Sequence, residues 1–389
     1  MTMNIIFYYQ LNILPEKGGT ERATYALAHE LKRRNYRCIF LAHTRHDGSS
    51  IRREPAEFPQ LYLPNSSVLD CPENEAFIRT LCVKEKTDII INQDVMNRDT
   101  SFLSKTRFPG IKFVGVCHFS LYGGITFFED HFKQCYILGK TSLIKYLAQR
   151  FLTPLYKIKL RKSNHNFLKQ IYNQNNRIVL MSEQEKSYYP VTDYSIIDYI
   201  PNPLTLRKKH NHPKEKLILI VSRLVYMHKR IDYFLRAWKK IWKKFPDWKV
   251  NILGAGECEK YYREFVKKHN LQNIEFCGNV EPDAFYARAS ILCSTSTNEG
   301  FGLTLTEGMV YGCVPIAFNS FSTARDIIDH MIDGILVTPF NLDEYSDQLQ
   351  LLMSDNTLRE SMSKHAEEKA KKFSAHHIGE KWDNLLTNI

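Results

Sequence analysis

The sequence predicts an α/β protein made of two doubly wound, Rossmann-like domains. Three observations carry this. Apolar runs of strand length alternate with stretches whose apolar residues recur at helical spacing, along nearly the whole chain. Glycine turns stand between strand and helix, at Gly18-Gly19 and again at Gly300-Phe301-Gly302. A chain of 389 residues exceeds what one hydrophobic core usually serves, and its rhythm breaks at the proline-rich 199–204 (YIPNPL), just before a charged stretch.

In chain order, residues 4–9 (NIIFYY) read as a first strand. The loop 15–21 (PEKGGTE) leads into 22–34, where Ala23, Ala26, Leu27 and Leu31 mark a helix, and 37–42 (RCIFLA) is the next strand. Strand, glycine loop, helix and strand together open a doubly wound sheet, whose ligands bind at the carboxyl ends of the strands. Gly18-Gly19 stands there, without the G-x-G-x-x-G fingerprint of a free dinucleotide site. On spacing alone it is equally an ordinary βα turn. A helix over 73–86 and strands at 88–92 (DIIIN) and 112–117 (KFVGVC) follow. Asp94 lies just past the first of these strands and is a candidate acceptor contact; His118 ends the second, where an imidazole faces the ligand side of the sheet. A lone histidine is more often structural. Residues 177–181 (RIVLM) read as the last strand of the first domain.

The second domain opens with the strand 217–222 (LILIVS), followed by Arg223 and, six residues on, Lys229. Two cations at a strand mouth can clamp a diphosphate, one as a fork and one as a point charge. A helix over 231–245, strand 249–254 (KVNILG), helix 261–269 and strand 274–277 keep the rhythm. At Gly278-Asn279-Val280 the backbone can read a nucleobase edge. A short helix at 285–289 precedes the strand 290–295 (SILCST). Then come the glycine turn Glu299-Gly300-Phe301-Gly302, a helix through Leu303, Thr304, Leu305, Glu307 and Met309 to Gly312, and the strand 314–318. Elements at 323–330, 335–339 and 342–354 and a final helix over 361–386, carrying Trp382, close the chain.

The turn at 299–302 is an anion site, because unpaired N–H groups and the helix dipole point at the loop. Glu299 and Glu307 bracket it. A carboxylate would repel an anion, so both acids are placed to accept from neutral hydroxyls on either side of a phosphate group, as in a nucleotide-sugar. The plainer reading is a solvated helix with one chance acid. The string EGFGLTLTEG, with its glutamate-x7-glutamate spacing, resembles the motif of the retaining GT-B glycosyltransferases of family 4 (glycosyl transferases group 1). The run 221–230 (VSRLVYMHKR) resembles the family's diphosphate-binding Arg and Lys, and Gly18-Gly19-Thr20-Glu21 and His118 are similar to its first-domain positions.

The resemblance implies two Rossmann-like domains facing a central cleft. The first covers 1–200, rejoined by a C-terminal helix at about 370–389, and the second 201–369. Arg223, Lys229, His118 and Glu299 carry the chemistry: the cations meet the leaving diphosphate, Glu299 holds sugar hydroxyls and His118 contacts the sugar. Gly18, Gly19, Val280, Gly300, Phe301, Gly302, Leu303, Thr304 and Glu307 bind the donor, with Glu307 on the ribose. The implied reaction moves a hexosyl group from a UDP-sugar, or alternatively GDP-mannose, to a lipid-linked or saccharide acceptor in bacterial polysaccharide or lipopolysaccharide synthesis. No metal or other cofactor is expected, and no D-x-D occurs. One departure is plain: 319–326 reads NSFSTARD where many members carry a glycine-rich turn and a glutamate. A nucleotide-sugar 2-epimerase of the same fold and a basic nucleic-acid-binding protein are the alternative readings.

Composition limits the rest. Nine scattered cysteines without a C-x-x-C pair fit reduced thiols rather than a disulfide framework or zinc site. The first strand is too short for a signal-peptide core, and no apolar run nears a membrane span. Net charge is +11, and 131–177 alone carries ten Lys or Arg and no acid. Interleaved aromatic and leucine residues make this segment a candidate for an anionic membrane surface, with nucleic acid as the competing partner. The expectation is a cytoplasmic protein, peripheral on the inner face of the membrane, with no nucleic acid partner.

Overall fold

The computed structural model describes residues 3–15, 17–45, 57–105, 108–204 and 212–389. Every strand pairing in its two sheets is parallel. The first sheet contains β1 (Asn4–Tyr8), β2 (Arg37–Ala42), β3 (Gln60–Tyr62), β4 (Ile89–Asn92), β5 (Lys112–Cys117), β6 (Arg177–Leu180) and β7 (Ile197–Tyr199), in the order β3-β2-β1-β4-β5-β6-β7. The second contains β8 (Glu215–Val221), β9 (Lys249–Leu253), β10 (Ile274–Gly278), β11 (Ala289–Ser294), β12 (Val314–Phe318) and β13 (Ile335–Val337), in the order β10-β9-β8-β11-β12-β13. Both reverse direction once, between β1 and β4 and between β8 and β11. The central strands are buried on both faces, which is why they read as unbroken apolar runs rather than as an alternation.

The chain divides into two compact units. One comprises Met1–Leu121, Lys162–Thr205 and Phe373–Ile389; the other comprises Tyr122–Arg161 and Leu206–Lys372. Within the first, the helix Ala375–Thr387 lies on Gly19–Arg33. A Cβ added at Gly379 would stand 2.3 Å from the Glu30 side chain, and Tyr36 donates to Asp383 over 2.5 Å. In the second, Trp238, Trp248, Tyr262 and Tyr345 fill one continuous core with the strands of its sheet.

Several elements differ from the sequence reading. The short edge strands β3 and β7 were not expected; three residues are too few to show a period. The final helix is two, Asn356–Ala370 and Ala375–Thr387. The chain restarts at Ser374, whose hydroxyl caps the second by accepting from the His377 N–H. The element at 323–330 condenses to Ala324–Ile327. The basic segment forms a helix Phe128–Ile137 and a 32-residue helix Leu143–Gln174. Its portion up to Arg161 groups with the second unit, whereas the sequence reading gave all of it to the first.

Candidate active site

In the second unit the loops after β8 and β11 leave the switch point of the sheet, where doubly wound folds bind ligands. Arg223 follows β8 and is exposed. After β11 the chain reaches Gly302, whose φ of +96° is a left-handed value that favours glycine. The helix Leu303–Val310 starts on the next residue, so the N–H groups of Leu303 and Thr304 have no intrahelical acceptor. Two hydroxyls hold this turn in place. Thr323 donates to the Phe301 carbonyl over 2.7 Å, and Ser320 donates to the Ser296 carbonyl over 2.8 Å. The loop 319–326, which departs from the family pattern, therefore braces the glycine turn from behind.

Lys229 and Glu299 were assigned separate partners from the sequence; the structure pairs them with each other. Lys229 Nζ stands 2.5 Å from Glu299 Oε1, and both side chains are 17% exposed. The Ser296 hydroxyl donates to the same oxygen over 2.6 Å. Two adjacent loops are joined here, because the His228 backbone carbonyl accepts from the Thr297 N–H over 2.8 Å. His228 has a left-handed φ of +72°, and burial lowers the pKa of its imidazole. Glu307 is fully buried within its helix and accepts from the Tyr286 hydroxyl over 3.3 Å. Its carboxylate is an interior group of the helix, not an exposed one. At the end of β10, Val280 is exposed beside Gly278. The neighbouring Gly254 admits no side chain, since a Cβ there would meet the Ser222 carbonyl at 2.0 Å.

In the first unit, Gly18 precedes the helix Gly19–Arg33 and Gly19 is its first residue. His118 is buried, and desolvation pushes its pKa down to about 4, with Asn202 acting in the opposite direction. Its Nε2 lies 2.5 Å from Gln93 Oε1. The imidazole is thus neutral near pH 7 and held from one side. A small cavity beside it is lined by Thr24, Gln93, Met181, Asn202 and Trp382. The segment read as a linker therefore contributes Asn202 to the surroundings of His118. Asp94 is buried in a local network with Asn97, and burial raises its pKa to about 6.

Within the second unit the fold brings Arg223, Lys229, Glu299, the glycine turn and Glu307 to one edge of one sheet; His118, Gly18 and Gly19 belong to the first unit. Sequence reasoning missed Ser296, Tyr286, His228 and the buried ion cluster of Arg230. Arg230 and His228 flank Lys229, and Ser296 stands three residues before Glu299, so these three carried a local signal; Tyr286 carried none.

Comparison with known proteins adds the following. Residues 204–369 match the family model described as Glycosyl transferases group 1, and residues 17–208 match that of Glycosyltransferase Family 4. A Haemophilus influenzae protein named an uncharacterized glycosyltransferase is 31% identical over 216 residues, 54% of this chain and 61% of that protein. A Campylobacter jejuni enzyme is 29% identical over 178 residues, 45% of this chain and 49% of its own length. Its name is GalNAc-alpha-(1->4)-GalNAc-alpha-(1->3)-diNAcBac-PP-undecaprenol alpha-1,4-N-acetyl-D-galactosaminyltransferase. The chain thus spans about half to three-fifths of the length of these two relatives. Among solved structures, Anabaena Alr3699/HepE in complex with UDP and glucose superposes with a TM-score of 0.73 at 15% identity, covering 100% of both chains. At that identity the likeness is one of fold.

Proposed function

The chain belongs to the family 4 glycosyltransferases of GT-B fold, and on that premise we propose that it transfers a hexosyl group from a nucleoside diphosphate sugar with retention of anomeric configuration. The observation that carries this reading is the edge of the second sheet, where an exposed guanidinium, a pairable ammonium and a helix N-terminus converge on one loop cluster.

The enzyme's task is to stabilise the charge that develops on the departing nucleoside diphosphate, which is electrostatic preorganisation. Arg223 meets phosphate oxygens as a fork, and the N–H groups of Leu303 and Thr304 add the helix dipole. Lys229 and Glu299 act as an exchangeable pair. A donor phosphate takes Glu299's place beside Lys229, and the released carboxylate turns to sugar hydroxyls. Tyr286 holds Glu307, which moves to the ribose hydroxyls when donor binds. The neutral imidazole of His118 accepts from a hydroxyl. A donor phosphate oxygen on the attacked face takes the acceptor's proton, which gives retention. These cations meet the diphosphate without a metal ion. UDP is the favoured donor base, in keeping with the nucleotide in the Anabaena complex. The acceptor is lipid-linked or a saccharide, in bacterial surface-polysaccharide synthesis, in keeping with the Campylobacter relative's name. The test is a panel of UDP-, GDP- and ADP-sugars with the product's anomeric configuration read by NMR. A product of inverted configuration, or a rearranged nucleotide-sugar with no transfer, contradicts the reading.

The helix Leu143–Gln174 fits the surface where such an acceptor resides. Ile144, Leu147, Phe151, Leu155 and Ile158 recur every three or four residues and are all exposed, Ile144 at 82% and Phe151 at 85%. Lys145, Arg150, Lys159 and Arg161 flank this stripe. An apolar stripe with basic flanks suits an anionic lipid interface, each cation near the surface contributing about 1 kcal/mol. No helix among the described residues is long and apolar enough to cross a membrane. The reading is therefore peripheral association with the inner leaflet of the cytoplasmic membrane. Lys157 is excluded from the contact set because Glu129 holds it at 2.6 Å. In flotation with anionic liposomes at low salt the protein rises with the lipid. A variant with Lys145, Arg150, Lys159 and Arg161 changed to Gln stays behind. Equal flotation of both, binding to an oligonucleotide instead, or self-association through this face contradicts the membrane reading.

A further inference from the structure

The loops that carry Lys229 and Glu299 are gripped by residues 122–140, from the long connection between β5 and β6. Asp130, on the helix Phe128–Ile137, touches both loops at once. Its Oδ1 accepts from Arg230 Nη1 over 3.1 Å, and its Oδ2 lies 3.5 Å from the Thr297 hydroxyl. Arg230 is the residue after Lys229, and Thr297 stands two before Glu299. Neighbouring contacts reinforce the grip. Gln134 accepts from the Met227 N–H over 2.6 Å and its amide donates to Glu257 in the loop after β9; Lys140 pairs with Glu257 over 3.0 Å. A Cβ on Gly123 would come within 2.1 Å of the Asn298 side chain.

Arg230 is built to be fixed. Its backbone has a left-handed φ of +44°, its guanidinium is bidentate on Asp232 at 3.0 and 3.1 Å, and it lies 4.4 and 3.8 Å from the rings of Tyr226 and Tyr233. Asp232 holds Arg230 in a fork and also pairs with Arg236 over 3.6 Å, so Asp130 is a second carboxylate in a cluster of two arginines. Desolvation pushes the Asp130 carboxyl up to about 6 despite Arg230, so keeping it charged in the interior is costly. What sets Asp130 apart from Asp232 is that its carboxylate reaches both loops.

We propose that Asp130 is a positioning residue of the diphosphate site: one buried carboxylate ties the Lys229 loop to the Glu299 loop and sets the spacing of the pair that receives the donor. The proposal rests on the donor reading above and adds to it a residue from outside the second half of the sequence.

Asp130→Asn leaves Arg230 paired with Asp232 but loosens the tie between the loops; Thr297→Val removes only the second contact. The full-length variants are titrated with UDP, GDP and ADP by calorimetry, and their melting temperatures are measured. The expected result is at least fivefold weaker binding of the nucleotide that the wild type takes for Asp130→Asn, about threefold for Thr297→Val, and melting temperatures close to wild type. The double variant binds no more weakly than Asp130→Asn, since both act through one contact. Wild-type affinity in Thr297→Val, or in a folded Asp130→Asn, overturns the proposal, as do losses that multiply in the double variant. If Asp130→Asn does not fold, Thr297→Val decides alone. A wild type that binds none of the three nucleotides overturns the donor reading, and this proposal with it.

Discussion

The two sheets share the order of their first six strands, the first adding a seventh, but differ in the charged groups at their carboxyl ends. Along the first, burial suppresses charge at His118, whose pKa it pushes down to about 4. Along the second, charge is kept and compensated. Arg223 is exposed, Lys229 and Glu299 neutralise each other at 2.5 Å, and the helix at Leu303 opens on a glycine. The doubly wound frame positions loops; the residues in the loops decide whether an edge meets a neutral hydroxyl or an anion.

The largest expected effect breaks the charged edge. Arg223→Ala and Glu307→Ala each lower kcat/KM for transfer at least tenfold, a loss of about 1.4 kcal/mol of transition-state stabilisation. Melting curves control for the contact with the Tyr286 hydroxyl that Glu307→Ala removes. A His118→Ala variant that costs more than Arg223→Ala would invert the comparison, since it would make the neutral edge the dominant one.

A smaller effect concerns the pair within the charged edge. Lys229→Met and Glu299→Gln each leave a mostly buried partner charge behind, so the two single losses of stability exceed that of the double variant. The coupling is about 1 kcal/mol and is read from denaturant unfolding. Additive losses would mean that the pair is not formed in the free protein.

A third effect is a pH slope set by buried groups of both units. His118 has a folded pKa below its ordinary value, so the stability it contributes is full above about 6.5 and is lost as pH falls toward 4. Asp94 and Asp130 act in reverse: their folded pKa values are raised to about 6, so the cost of burying their charge is relieved as pH falls through that value. His118→Asn therefore loses less melting temperature than wild type between pH 6.5 and 4.5. Parallel curves would show that the imidazole is not held neutral.

Much of this architecture was legible because it is local. The apolar runs of β1, β8 and β12 and the glycine turn before Leu303 sit within windows where burial imposes a period, and Gly312 ends its helix with a φ of +74°. What could not be read is long-range or weakly periodic. Asp130 lies a hundred residues before Arg230, and nothing in the helix Phe128–Ile137 marks it as a ligand for that cation. Tyr286 reaches Glu307 across 21 residues. The helix Leu143–Gln174 hides because basic and further apolar residues mingle with its exposed stripe, and Pro154 interrupts the pattern. The Lys229–Glu299 contact joins two residues 70 apart in the chain, and only the fold reveals their pairing.

The central claim is that protein cations at the edge of the second sheet carry the charge of a leaving diphosphate. The most direct test is the initial rate of nucleoside diphosphate release from UDP-, GDP- and ADP-sugars in excess EDTA, wild type against Arg223→Ala. The account predicts that one donor series turns over undiminished by EDTA and at least tenfold more slowly in the variant. Loss of wild-type activity that Mg²⁺ or Mn²⁺ restores, or equal rates in the two proteins, would contradict it.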